Sequence, residues 1–223
     1  PTRNPQREGK DLFNSAILLY EGKVQGVAHK TLLPNYDVFD EYRYFEPAYN
    51  WNIIPFKGKK IAVTICEDIW NLGDNPLYRV CPMDELMKQS PDLMINISAS
   101  PFDYDHDEDR KEVMRLNVLK YKLPMIYCNA VGAQTEIIFD GGSLVYAANG
   151  ELKHELSYFK EDTVCVETDD LIGKDNPLHQ AQSKIAEDMR VAKTTDSDQI
   201  IAYSKREGDN LILVVVGHLF GHR

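Results

Sequence analysis

The chain has 223 residues, 43% hydrophobic and 27% charged, enough for one domain with a sizeable core and a short appendage. Its 35 acidic side chains against 25 basic ones leave a formal charge of −10, which disfavours nucleic acid and anionic membrane surfaces because both repel it. No apolar run approaches the roughly 20 residues that span a bilayer, no secretory signal is expected, and cysteines at 66, 81, 128 and 165 lack paired metal-type spacing. They read as reduced thiols of a cytoplasmic protein, and the expected ligand is a small molecule or another protein.

The first residue is Pro1 and Pro1–Lys10 is polar, so the chain is expected to be a piece of a longer product. Phe13–Tyr20 and Lys23–His29 flank Glu21-Gly22 and predict a hairpin. An irregular stretch rich in Tyr, Phe, Trp and Pro follows from Lys30 to Gly58. Lys60–Ile65 alternates as a strand, Pro82–Gln89 reads as a short helix with proline in its first turn, and Leu93–Ile97 reads as a buried strand. Asp107–Lys122 reads as an amphipathic helix with Val113, Leu116, Leu119 and Leu123 on one stripe. Strands are then expected at Met125–Cys128, Gln134–Phe139, Ser143–Ala147, Glu151–Leu156 and Thr163–Glu167, with Asn149-Gly150 a hairpin signal. The order predicts a layered α/β fold. From Ala181 the character changes: a polar helix over Ala181–Lys193, a break at Thr194–Asp198, then a strand pair, Gln199–Ser204 and Leu211–Val216. Residues 1–180 are accordingly expected to form the main domain, and 181–223 an appended helix plus strand pair.

Cys66 carries the strongest chemical signal. An apolar strand runs into Thr64-Ile65-Cys66-Glu67-Asp68-Ile69-Trp70, and a thiol on a tight turn after a strand can project into a cleft. The alternative is a plain core cysteine. Lys30, at the end of the predicted hairpin, is either a surface lysine or a fixed ammonium that stabilises an oxyanion and lowers a thiol pKa. Asp103, Asp105 and Asp107 begin like a calcium loop, but Glu108 and Met114 stand where that loop needs glycine and glutamate. No metal site is expected there, or at His218 and His222.

Four segments change the weight of these readings. Lys30-Thr31-Leu32-Leu33-Pro34-Asn35-Tyr36-Asp37-Val38-Phe39-Asp40-Glu41-Tyr42-Arg43-Tyr44-Phe45, Ile65-Cys66-Glu67-Asp68-Ile69-Trp70, Asn96-Ile97-Ser98-Ala99-Ser100-Pro101-Phe102, and Asn129-Ala130-Val131-Gly132-Ala133-Gln134 with Phe139-Asp140-Gly141-Gly142-Ser143 resemble, in family order, motifs of nitrilase-superfamily glutaminase domains. The resemblance covers Leu12–Glu167 and is nearest to the glutamine-hydrolysing domains of glutamine-dependent NAD synthetases. It implies an αββα sandwich, incomplete at its N-terminal side, and a carbon-nitrogen hydrolase acting on an amide. Cys66 would be the nucleophile, Lys30 the oxyanion holder and Glu41 a carboxylate supporting the lysine, Glu41 alternatively being a surface partner of Arg43. Tyr36, Phe39, Glu67 and Ser100 match positions that shape the glutamine pocket, with Glu67 suited to an α-ammonium.

The resemblance implies ammonia delivery to a synthetase domain, no cofactor for this domain, ATP belonging to the synthetase domain, and a homo-oligomer. Gly141-Gly142-Ser143 is not an ATP-pyrophosphatase loop and reads as a turn. The family's glutamate base has no counterpart before Lys30, since Glu8 and Glu21 lie in the wrong setting, and base loss typically costs ~10²–10⁴-fold in rate. Asp103-Tyr104-Asp105-His106 stands where relatives carry a basic residue. The remaining alternatives are another nitrilase-type amidase or carbamoylase, and an inactive remnant serving as an assembly surface. Gln199–Val216 faintly resembles a strand pair of α-amylase-family glucosyl transferases and implies no activity.

Overall fold

The computed structural model describes residues 1–6, 8–72, 77–104, 106–172, 199–200 and 213–214. The polar lead is tied down: β1 (Thr2–Arg3) pairs antiparallel with β2 (Leu12–Phe13). The expected hairpin forms from β3 (Ser15–Tyr20) and β4 (Lys23–His29). Its two-residue turn puts Glu21 (φ 48) and Gly22 (φ 70) in the left-handed region, as a tight hairpin of native twist requires. The stretch expected to be irregular holds a 3-10 turn, Glu41–Arg43, and an edge strand, β5 (Ile54–Phe56).

Next come β6 (Lys59–Ile65), α1 (Pro82–Met87), β7 (Leu93–Ser98), α2 (His106–Tyr121) and β8 (Met125–Asn129). Gln134–Phe139, expected as one strand, is instead a hairpin of β9 (Val131–Gln134) and β10 (Ile137–Asp140). Thr135 (φ 54) turns the chain there, so the apolar residues on either side of it belong to opposed strands. β11 (Leu144–Tyr146), β12 (Leu152–Glu155), β13 (Val166–Glu167) and α3 (Thr168–Ile172) complete this part. Of the expected strand Thr163–Glu167 only β13 is extended and paired.

Six strands form one mixed sheet in the order β12-β11-β8-β7-β6-β5. Its centre, β6-β7-β8, is parallel, with antiparallel strands on both flanks. Strand alternation sends Ile61 and Ile65, Leu93, Ile95 and Ile97, and Ile126 to one face, where they pack with Ala16 and Leu18 of the β3-β4 hairpin. Ala62, Met94, Met125 and Tyr127 point to the other face, under Met83 and Leu86 of α1 and Met114 and Val118 of α2. All six residues of β7 are buried, as suits a central parallel strand covered on both sides. The layering is therefore helices, mixed sheet, second sheet.

The buried stripe of α2 differs from the expected one. Arg110, Met114, Asn117, Val118 and Tyr121 face the sheet, while Leu116 is 42% exposed. The stripe takes in two polar side chains because each has a partner inside. Arg110 donates to Asp140 at 3.1 Å and Asn117 donates to the Ile69 carbonyl at 2.9 Å.

The expected helix Ala181–Lys193, the break at Thr194–Asp198, and His218 and His222 lie outside the described residues. The expected pairing of Gln199–Ser204 with Leu211–Val216 is not what the described parts do. β14 (Gln199–Ile200) pairs with β13, and β15 (Leu213–Val214) pairs with β3. An open strand edge already in the domain offers its unpaired backbone groups to a further strand.

Candidate active site

The parallel centre sends three chain segments to one edge. Cys66 follows β6, Ser98 ends β7 and Asn129 ends β8, which is the carboxyl edge where open α/β sheets place their ligands. Lys30 arrives from the second sheet, directly after β4.

Cys66 sits at φ 45, a left-handed conformation uncommon for a side chain with a Cβ. It opens a 3-10 turn, Cys66–Ile69. Such strain costs about 1–2 kcal/mol and persists only where neighbours enforce it. Here the Asn96 amide, anchored on the Thr64 hydroxyl at 3.0 Å, donates to the Cys66 carbonyl at 3.4 Å, and Asn117 holds the far end of the turn through the Ile69 carbonyl. The expected strand-to-turn elbow is present, with its sulfur facing a cavity.

Lys30 is 0% exposed, which removes the surface-lysine reading. Its backbone is held on both sides: its N–H donates to the Asn14 carbonyl at 2.8 Å and its carbonyl accepts from Ala48 at 3.1 Å. Its Nζ donates to Glu41 Oε1 at 2.6 Å, and Asn14 donates to the second oxygen of Glu41 at 3.0 Å. Arg43 pairs with Asp40 instead, so the alternative surface pairing of Glu41 with Arg43 does not occur. Asn14 was missed in the sequence, because an asparagine after a short strand carries no signal of its own.

Lys30, Glu41, Cys66 and Phe39 line one cavity of about 500 Å³, walled further by Ala99 and Phe139. Burial opposes the Lys30 ammonium, but the Cys66 sulfur, Glu41 and Asp68 overcome that penalty and hold its pKa above the ordinary lysine value. For Cys66 the balance goes the other way. Burial pushes the thiol pKa up, and Lys30 and a hydrogen bond from Ser98 pull it back only in part. The expectation that Lys30 lowers the thiol pKa therefore holds for its own contribution and not for the net result. Alkylation of Cys66 at pH 7 is accordingly expected to be slower than that of the exposed Cys165, and to climb with pH past the ordinary thiol range near 8.5. Peptide-resolved mass spectrometry after iodoacetamide pulses checks this; faster labelling of Cys66 at pH 7 would contradict it.

Glu67, Tyr36 and Ser100 are close by but are not part of the lining of that cavity. The Tyr36 hydroxyl lies 2.9 Å from both oxygens of the buried Glu67 carboxylate, and Tyr78 adds a second hydroxyl. Tyr36 also meets Phe39 edge to face. Ser100 is buried, its N–H donating to Asn129 Oδ1 at 2.9 Å and its hydroxyl bonded to Tyr127. The loop residues that reach the cavity are its neighbours, Ala99 and Pro101. The β9-β10 hairpin also borders the cavity through Gln134 and Thr135, a wall hidden in the sequence by the single strand expected there.

A family model described as carbon-nitrogen hydrolase matches residues 2–175. A glutamine-dependent NAD(+) synthetase of Synechocystis sp. is 38% identical over 173 residues, covering 76% of this chain and 31% of that protein. Among solved structures, the glutamine-dependent NAD+ synthetase of Acinetobacter baumannii superposes with a TM-score of 0.63 at 34% identity, over 71% of this chain and 28% of that one. A carbon-nitrogen hydrolase of Helicobacter pylori G27 gives 0.55 at 26% identity, over 65% and 53%. The chain thus spans under a third of the length of the curated relative it matches, at 31%. The matched region contains the whole Cys66–Lys30–Glu41 cavity, and the chain belongs to the carbon-nitrogen hydrolase family.

Proposed function

We propose that this chain hydrolyses the side-chain amide of glutamine and releases ammonia for a synthetase domain that makes NAD. The observation that carries the reading is the convergence of Cys66, from the end of β6, Lys30, from the end of β4, and Glu41, from the 3-10 turn Glu41–Arg43, on one cavity. In this reading the Cys66 sulfur attacks the carboxamide carbon, forming a C–S bond. The charge that develops on the carbonyl oxygen meets the Lys30 ammonium, fixed in place before reaction and shielded from water, where a positive charge is worth most. The C–N bond then breaks and the nitrogen leaves as ammonia, carrying the proton that began on the thiol. Water hydrolyses the thioester to glutamate and restores the thiol.

Glu41, bonded to Lys30 and Asn14, keeps the ammonium aimed and charged. By the family resemblance Glu67, beside the cavity and not in its lining, supplies a negative charge toward the substrate α-ammonium, with Phe39 in the wall, Tyr36 bonded to Glu67 behind it, and Ser100 supporting the loop from beneath. ATP chemistry belongs to the synthetase domain.

The test is ammonia release by the 223-residue chain from glutamine, asparagine, simple aliphatic amides and N-carbamoyl amino acids. Glutamine is expected to lead asparagine by about 10-fold or more in kcat/KM, the effect of one methylene in a fitted pocket. Turnover of carbamoyl compounds without turnover of glutamine would assign the site to the carbamoylases. No turnover of any of them would leave an inactive assembly surface.

A further inference from the structure

Asp68 stands two residues after the nucleophile and does not line the cavity, yet its carboxylate touches both halves of the site. One oxygen accepts the backbone N–H groups of Thr31 at 3.0 Å and Leu32 at 2.9 Å, the two residues that follow Lys30. The other accepts the N–H of Ile65 at 3.1 Å, the residue that precedes Cys66. Asp68 is 2% exposed. No strand pairing links β4 to β6, so the lysine segment and the cysteine turn come from different sheets, and this one carboxylate bonds directly to each of them.

We infer that Asp68 is a positioning residue, a clamp that sets the distance between the Lys30 ammonium and the Cys66 sulfur by holding the backbone on both sides. This rests on the amide-hydrolase reading above for its catalytic consequence, though not for its geometry. A neutral side chain cannot replace it fully. Three N–H donors converge on two carboxylate oxygens, and an asparagine offers one oxygen and an NH₂ that opposes at least one of them. Misplacement by about 1 Å of groups that must meet a substrate costs about 100-fold in rate, and of the three clamped residues Thr31 and Leu32 lie outside the cavity lining while Ile65 is part of it.

The clamp also responds to pH. Burial raises the Asp68 pKa to about 6, against the pull of its three N–H bonds and of Lys30. The ionisable groups around it are Lys30 and His29 at the end of β4, Tyr78 before α1, and Cys66 and Glu67 of its own turn. His29 is the neighbouring imidazole, its pKa lowered by burial, and the Asp68→Asn variant leaves it in place, so a transition that persists in the variant belongs to His29.

The experiment compares the wild-type chain with Asp68→Asn. Glutamine kcat and KM, and the pH dependence of Cys66 alkylation, are measured on protein shown to be folded by a cooperative melt. The expected result is a kcat lower by about 100-fold, a KM changed by less than about threefold because Asp68 itself is not part of the cavity lining, and a Cys66 alkylation midpoint displaced upward as Lys30 drifts from the sulfur. In wild type, the amide proton resonances of Thr31, Leu32 and Ile65 are expected to titrate together near pH 6, with Cys66 alkylation dropping more steeply through the same midpoint. A folded Asp68→Asn protein with kcat within about twofold of wild type and an unmoved alkylation midpoint overturns the clamp. Should the variant not fold, independent titration of the three amides overturns it. Should the wild-type chain ignore glutamine while the alkylation and amide results hold, the function fails and the clamp stands.

Discussion

Replacing Cys66 with alanine is expected to lower glutamine turnover by at least about 10⁴-fold while the chain keeps its fold. In the proposed reaction Cys66 is the nucleophile, and losing it from a site that works as a unit removes nearly all of the rate enhancement; no other thiol is placed to take over. Cys81 lies against the Tyr121 hydroxyl beside α1, Cys128 is held by Ser143 within β8, and Cys165 is exposed. The structural effect is small by comparison. Alanine at φ 45 carries the same backbone strain as cysteine, and removing one sulfur from the cavity wall costs about 1 kcal/mol. Coupled ammonia detection measures the first effect and urea unfolding the second. Trapping the acyl-enzyme at acid pH should add the glutamyl mass to the Cys66 peptide of wild type and to no peptide of the variant. A variant retaining more than about one hundredth of wild-type turnover would move the chemistry to another group.

Lys30→Met separates the two roles of the buried ion pair. The methionine fills much the same volume without the charge, so kcat is expected to fall by about 10²–10³-fold, the usual effect of losing a fixed oxyanion partner. Stability should fall as well, because breaking a buried pair by removing one partner costs about 3–5 kcal/mol. Glu41 keeps a 12% exposed side chain and a hydrogen bond from Asn14, which places the loss toward the lower end. Adding Glu41→Gln to Lys30→Met removes the stranded charge and is expected to restore most of the stability and none of the activity. Urea melts and steady-state kinetics on the two single variants and the double variant form the cycle. Recovery of kcat in the double variant would show that Lys30 serves only to neutralise Glu41.

Much of the candidate site was legible in the sequence for definite reasons. Cys66 was visible because an apolar strand ending in a nucleophile followed by acidic and aromatic residues is an unusual local pattern. Lys30 became visible through the motif around it. A lysine after a strand is ordinarily solvated, and nothing local reveals that Asn14, Ala48 and Glu41 enclose this one. Three readings moved once the chain was folded. The α2 stripe shifted because Arg110 and Asn117 find partners on other elements. The β9-β10 hairpin was hidden because Thr135 turns the chain without glycine or proline to mark it. The Cys66 thiol pKa rose although a lysine stands beside it, because burial outweighs one neighbouring charge.

The sequence by itself determined which strands alternate, which turn after β6 carries the candidate nucleophile Cys66, and which family motifs stand in order from Lys30 to Ser143, since all of these are encoded within a few neighbouring residues. Only the tertiary structure decided that Lys30 meets Glu41 inside the protein, that Ala99 rather than Ser100 reaches the cavity, and that Asp68 holds two sheets together. Those outcomes depend on partners 11 residues apart for the ion pair and 31 to 37 apart for the Glu67–Tyr36 contact and the Asp68 bonds to Thr31 and Leu32. The burial that sets their strength exists only once the layers have closed.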